Sequence, residues 1–209
     1  MTSKSSSEFT YQVSNKGLEH NLPQKMGRAL WAPMFAMALM AWGVGFGLAI
    51  ARGSIISDFG PADEGAVRLG QLVPAFQFIG FLAVFASISF AIARILGAFR
   101  NGGGEVQETV GSQVHTLKMP PTAKVFIAFM AMGMMLIGVM VVLHFVVAGS
   151  FEDWSPESVA RWSDVLEGFR RLGVALYLFG IAFGLGSIVN VLRFQSKRIR
   201  QVAQEAGPA

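Results

Sequence analysis

The chain has 209 residues, 53% of them hydrophobic and 14% charged, with 24 glycines, no cysteine and a formal net charge of +4. Soluble domains average roughly 25% charged residues, and a mean hydropathy of +0.50 departs from them in the same direction. Composition therefore excludes an ordinary water-soluble globule, a disordered chain, a disulfide framework and a thiolate metal site.

Residues 1–28 are polar and lack a cleavage site behind a short apolar core, so they read as a retained tail, with the first span acting as its own insertion signal. Four runs free of Asp, Glu, Lys and Arg follow: Ala29–Ala51, Leu69–Ala93, Val125–Phe151 and Leu172–Leu192, of 23, 25, 27 and 21 residues. Each exceeds the roughly 20 residues that cross a hydrocarbon core, and none shows the polar–apolar alternation of a membrane β-strand. They predict four transmembrane helices at about 30–51, 70–93, 125–149 and 172–193, within one domain over 29–193. Residues 194–209 form a basic tail.

The connections differ in character. Arg52–Arg68 contains Gly60-Pro61 and reads as a turn-rich outer loop. Arg94–Lys124 reads as a mobile linker around Asn101-Gly102-Gly103-Gly104, with a small ordered part at 106–117, closed by Pro120-Pro121. In the second outer loop Ser155 is placed to cap a helix with Pro156 at its first position. Val159, Trp162, Val165, Leu166 and Phe169 then recur at spacings of three and four. This predicts a separate amphipathic helix in the outer interface, with Trp154, Trp162 and Phe169 as anchors.

Charge sorting gives the orientation. With four spans, both tails and the middle loop share one side, which holds 12 of the 17 basic residues. The two sides carry about +7 and −3. The positive-inside rule then places both termini in the cytoplasm of an inner membrane. Lys197, Arg198 and Arg200 are expected to snorkel along lipid headgroups.

The fold class is therefore all-α, an integral membrane four-helix bundle with an outer interfacial helix. It is open to a reading as two tandem parallel hairpins. Ala38-Leu39-Met40-Ala41-Trp42-Gly43 resembles Ala128-Phe129-Met130-Ala131-Met132-Gly133, and Arg68-Leu69-Gly70 repeats as Arg171-Leu172-Gly173. Gly43/Gly47 and Gly180/Gly184 are small-xxx-small pairs. Packing of helices 1 and 4 within one subunit is the expectation for them, and an interface to another protein is the alternative.

His144 is the one ionisable side chain of the acidic and basic set inside a span, which makes it a cofactor-binding candidate. A carbonyl- or headgroup-bonded histidine is the favoured reading over a haem or copper ligand, and no metal site is assigned. His20 and His115 lie outside the spans, so no His–His pair crosses the bundle. Met130, Met132, Met134, Met135 and Met140 crowd helix 3, where methionine also serves as a gap filler. Outer acids such as Asp58, Asp63, Glu64, Glu152, Asp153 and Glu157 read as solvated. No span carries a carboxylate or fixed cation, and Pro33 and Pro74 sit near helix starts, so an ion-coupled transporter is disfavoured.

No catalytic motif is present. The expected function is a non-catalytic accessory subunit of a larger membrane complex, with lipids and other membrane subunits as partners and no nucleic acid. The alternatives are a haem, copper or quinone redox subunit using His144, and an oligomeric channel or carrier lined by Gln77, Ser87, Ser89 and Asn190.

Overall fold

A computed structural model describes residues 13–14, 22–111, 116–117, 119–150 and 155–205. Four helices dominate: α1 (Leu22–Phe59), α2 (Glu64–Thr109), α3 (Pro121–Ser150) and α4 (Pro156–Glu205). Two two-residue strands, β1 (Val13–Ser14) and β2 (Thr116–Leu117), pair antiparallel and link the N-terminal tail to the segment between α2 and α3. Each uncharged run lies within one continuous helix up to Ser150, and all four helices are long and apolar enough to span a membrane. The protein is an all-α, multi-pass membrane protein.

The helices outrun the charge gaps that mark them. At a rise of about 1.5 Å per residue, α2 and α4 extend for about 70 and 75 Å, well beyond a bilayer of about 40–45 Å including headgroups. The loop after α1 shrinks to the turn Gly60–Asp63. Gly60 adopts φ +92°, a left-handed conformation that only glycine reaches without strain. Asp63 Oδ1 accepts from the backbone N–H of Gly65 (2.8 Å) and Ala66 (3.3 Å), capping α2. The acid expected to be solvated is a helix cap.

Two loop expectations are corrected. Asn101–Gly104 is not a linker: α2 runs through it to Thr109 and stops at Gly111, whose φ of +72° ends the helix. Asn101 and Gln107 are buried there, and Gln195 of α4 donates to the Phe99 carbonyl. The glycine-rich stretch is thus helical and packs against the end of α4. Likewise, there is no separate interfacial helix. The amphipathic segment is the first part of α4, begun by Ser155 Oγ accepting from Ser158 N–H at 3.2 Å and continuous with span 4. Glu167 pairs with Arg170 and Arg171 across the junction. Pro33 and Pro74 also lie inside continuous helices, further from the starts of α1 and α2 than the charge gaps implied.

α2 is the central element, packing against the three others, and the second main pairing joins α3 to α4. α1 buries Gln24, Gly27, Ala38, Ala41 and Gly45 on one narrow seam against α2. α3 buries Ala123, Phe126, Met130, Gly133, Ile137, Met140, His144 and Val147, alternately three and four apart. This is the seven-residue spacing of a coiled-coil seam, here mixing the bulky Phe126, Met130, Ile137 and Met140 with the small Ala123 and Gly133. A Cβ added to Gly27 would stand 2.6 Å from the Phe90 carbonyl oxygen, so α1 and α2 touch backbone to backbone. Trp42 of α1 lies directly over Gly80 of α2 and donates its indole N–H to the Gln77 carbonyl at 3.2 Å.

The core sits where α2, α3 and α4 meet. Tyr177 is fully buried, stacks on Phe85 with centroids 4.2 Å apart, and rests against Gly133. Phe78, Ile92, Phe126, Met130 and Ile137 complete the cluster. The resembling hexapeptides occupy different surroundings: Ala38 and Ala41 are buried and Gly43 exposed, whereas Ala128 and Ala131 are exposed and Gly133 buried.

Candidate functional site

Three polar residues, Gln71, His144 and Ser163, meet at the end where α1 turns into α2 and α4 begins. His144 belongs to the buried seam of α3, and its Nδ1 lies 3.0 Å from Gln71 Oε1 of α2. An amide oxygen only accepts, so the ring nitrogen donates. Gln71 Nε2 in turn donates to Ser163 Oγ of α4 at 3.1 Å, and Ser163 Oγ donates to the Val159 carbonyl at 2.9 Å. One chain of hydrogen bonds thus ties three helices. Phe78 stacks on the imidazole at 5.9 Å with planes 14° apart, and the Arg170 guanidinium carbon lies 5.4 Å from the centre of the same phenyl ring.

The carbonyl partner of His144 is a side-chain amide on a neighbouring helix. Gln71 stands out in the sequence only as a polar residue, and Ser163 not at all. The signal that finds Ser163 is the row Val159, Ser163, Leu166, Arg170, the inward side of α4. Of the row picked out by hydropathy, Val159 and Leu166 share this inward side, whereas Trp162, Val165 and Phe169 are exposed. In a lipid-facing helix the apolar side belongs outside, which inverts the water-based rule. Trp154 lies outside the described residues, as do His20 and His115.

Of the five methionines of helix 3, Met130 and Met140 are buried while Met132, Met134 and Met135 are exposed. No group of three or more His, Asp or Glu side chains forms a metal-binding cluster among the described residues. Glu64 pairs with Arg68 at 3.7 Å.

The two glycine pairs behave differently. Gly180 and Gly184 pack α4 against Met130, Phe126 and Ile92, so they face α3 and α2 and not α1. Gly43 and Gly47 face outward, with nothing within 4 Å of an added Cβ. A mutual contact of helices 1 and 4 is not what these glycines make.

Polar residues expected along a path are dispersed. Ser87 donates to the Trp31 carbonyl of α1 at 2.7 Å, and Ser89 to Phe85 in its own helix at 2.8 Å. Gln77 packs beside Gly45 at the α1–α2 seam, and Asn190 is half-buried on α4.

At the tail-bearing end Lys197 and Arg200 are exposed, as headgroup contacts require. Arg198 departs from that expectation. It is buried, with its guanidinium carbon 4.6 Å from the Phe194 ring centre.

No family model, curated protein or solved structure matches this chain.

Proposed function

We propose that this protein is a non-catalytic accessory subunit of a larger inner-membrane complex, with both termini cytoplasmic, and that it docks a partner's transmembrane helix on the outward face of α1. The placement of Gly43 and Gly47 carries this reading. A glycine inside a helix costs roughly 0.5–1 kcal/mol relative to alanine, and none of the described residues uses the space these two leave open. Small residues four apart let a second helix backbone approach closely where lipid supplies no hydrophobic drive. α1 suits the role because one narrow seam holds it to α2 while the rest of its circumference is exposed. The cytoplasmic assignment of the termini rests on the distribution of basic residues.

The test is blue native electrophoresis of gently solubilised membranes containing the wild type or the Gly43→Leu/Gly47→Leu double variant. The wild type is expected in a complex with other proteins and the variant as a folded free protomer. Wild-type migration as a free protomer, or in assemblies of this chain alone, would overturn the proposal.

A redox role at His144 is the second reading, favoured by one detail. Donation from Nδ1 to Gln71 leaves Nε2 of a neutral ring with the available lone pair, an arrangement that metal-ligating histidines share. The absorption spectrum and metal content of the purified protein decide it, and a blank result in both ends it.

A further inference from the structure

A cavity of about 400 Å³ opens at the tail-bearing end, between α1 and α3, with α2 as its floor and the end of α4 as its head. Its volume falls within the roughly 300–1,000 Å³ of small-molecule sites. The walls are almost wholly apolar, with Phe90, Phe126 and Met130 inside and the exposed side chains of Met26 and Met134 at the rim. Along α3 the lining runs from Ala123 to Met134, about 16 Å at the helical rise. That is half of a hydrocarbon core of roughly 30 Å, the depth of one leaflet. The cleft is open sideways, because α1 rests on α2 and makes no extensive contact with α3.

Arg198 is the one charged side chain among the described residues that line this cavity. It is 3% exposed, and Nε, Nη1 and Nη2 are all buried with no hydrogen-bond partner among the described residues. A guanidinium is effectively always charged near neutrality. A buried, unpaired cation is costly even after relaxation. Among the described residues Arg198 meets the aromatic face of Phe194 and no hydrogen-bonding anion. Arg198 also sits less than two helical turns beyond Leu192, the last residue of the uncharged run, where phosphates lie when the spans are centred in a bilayer.

We propose that this cleft is a binding site for one anionic phospholipid of the adjoining leaflet, with an acyl chain along the Phe90–Met130 wall and the headgroup phosphate on the Arg198 guanidinium. The planar fork of three nitrogens matches phosphate oxygens in a bidentate way. Basic pockets between transmembrane helices on the cytoplasmic side are a recurrent form of lipid recognition. The site lies apart from Gly43 and Gly47 and does not depend on the accessory-subunit reading.

Native mass spectrometry and thermal stability of delipidated full-length protein, titrated with phosphatidylglycerol, phosphatidylcholine or inorganic phosphate, test the site. The wild type is expected to bind phosphatidylglycerol at least tenfold more tightly than phosphatidylcholine, and to be stabilised by it. Arg198→Gln is expected to lose that preference, yet to be at least as stable as the wild type without lipid, since it removes an unpaired buried charge. Ala131→Trp, which fills the cleft and leaves Arg198 in place, is expected to weaken binding of both lipids. Equal binding of the two lipids by the wild type would overturn the proposal, as would an unchanged preference in Arg198→Gln or unchanged binding in Ala131→Trp. Stabilisation by inorganic phosphate equal to that by phosphatidylglycerol would likewise overturn it, leaving an anion site without lipid recognition.

Discussion

Replacing Gly27 with alanine tests the backbone contact on which α1 depends. The added Cβ would lie 2.6 Å from the Phe90 carbonyl oxygen, 2.9 Å from the Arg94 nitrogen and 3.3 Å from the Ala93 Cβ. The two nearest atoms belong to backbone and have no rotamer to change. To recover a contact of about 3.4 Å, α1 and α2 must part by about 0.8 Å at this point, and loosening spreads to Gln24 and Gly97, which pack together a turn away. Overpacking of this kind costs about 1–3 kcal/mol, and alanine's better helix propensity returns about 0.5–1 kcal/mol. The net loss is up to about 2.5 kcal/mol with a midpoint of about 1.3 kcal/mol, a roughly nine-fold shift in the unfolding equilibrium at that midpoint. Gly43→Ala on the same helix meets open space and keeps only the propensity gain. Reversible unfolding in mixed micelles, followed by tryptophan fluorescence, reads both variants in one assay. Opposite signs are expected, with Gly27→Ala less stable than the wild type and Gly43→Ala as stable or more so. A Gly27→Ala protein as stable as Gly43→Ala would refute the close approach of α1 to α2.

Three further outcomes follow from the packing. Gln71→Leu removes both the acceptor for His144 and the donor to Ser163; a loss of about 1–2 kcal/mol is expected, given about 0.6 kcal/mol for an average interhelical hydrogen bond in a membrane. A double-mutant cycle with Ser163→Ala should show coupling, and additivity would count against the chain of bonds. Asp63→Ala should cost about 0.5–2 kcal/mol through the lost cap of α2, whereas Asp63→Asn or Asp63→Ser should retain most of it in the same unfolding measurement. Tyr177 is fully buried and its hydroxyl has no hydrogen-bond partner among the described residues. Tyr177→Phe is therefore expected to leave stability unchanged or raised, while Tyr177→Ala empties the core beside Phe85 and should cost about 3–5 kcal/mol; a large loss in Tyr177→Phe would reveal a partner for that hydroxyl.

The sequence made some local features legible because local chemistry decides them. Ser155 and Pro156 mark the start of α4 as capping rules require, and Gly60-Pro61 falls in the turn between α1 and α2. The glycines after Asn101 point the other way, since α2 continues through them beside the end of α4, where Gln195 reaches the Phe99 carbonyl. Glycine propensity alone places a break there. The pairing of His144 with Gln71 was equally hidden, because the two residues stand 73 positions apart and neither carries a local signature of the other.

Charge placement alone determined the four spans, since a charged side chain is expensive in hydrocarbon and its absence over 21 to 27 residues leaves few other structures. It also gave the distribution of basic residues from which the orientation is proposed. What it did not determine is which side of each span packs. α3 is apolar around its whole circumference, so hydropathy has no period to report, and its seam of Ala123, Phe126, Met130, Gly133, Ile137, Met140 and His144 emerges only from tertiary contact. Lipid and protein interior are almost equally apolar, so burial in a membrane follows shape and hydrogen bonding. Only the tertiary structure could therefore turn Gly180 and Gly184 inward, leave Gly43 and Gly47 open, and bury Arg198 at the head of a cleft.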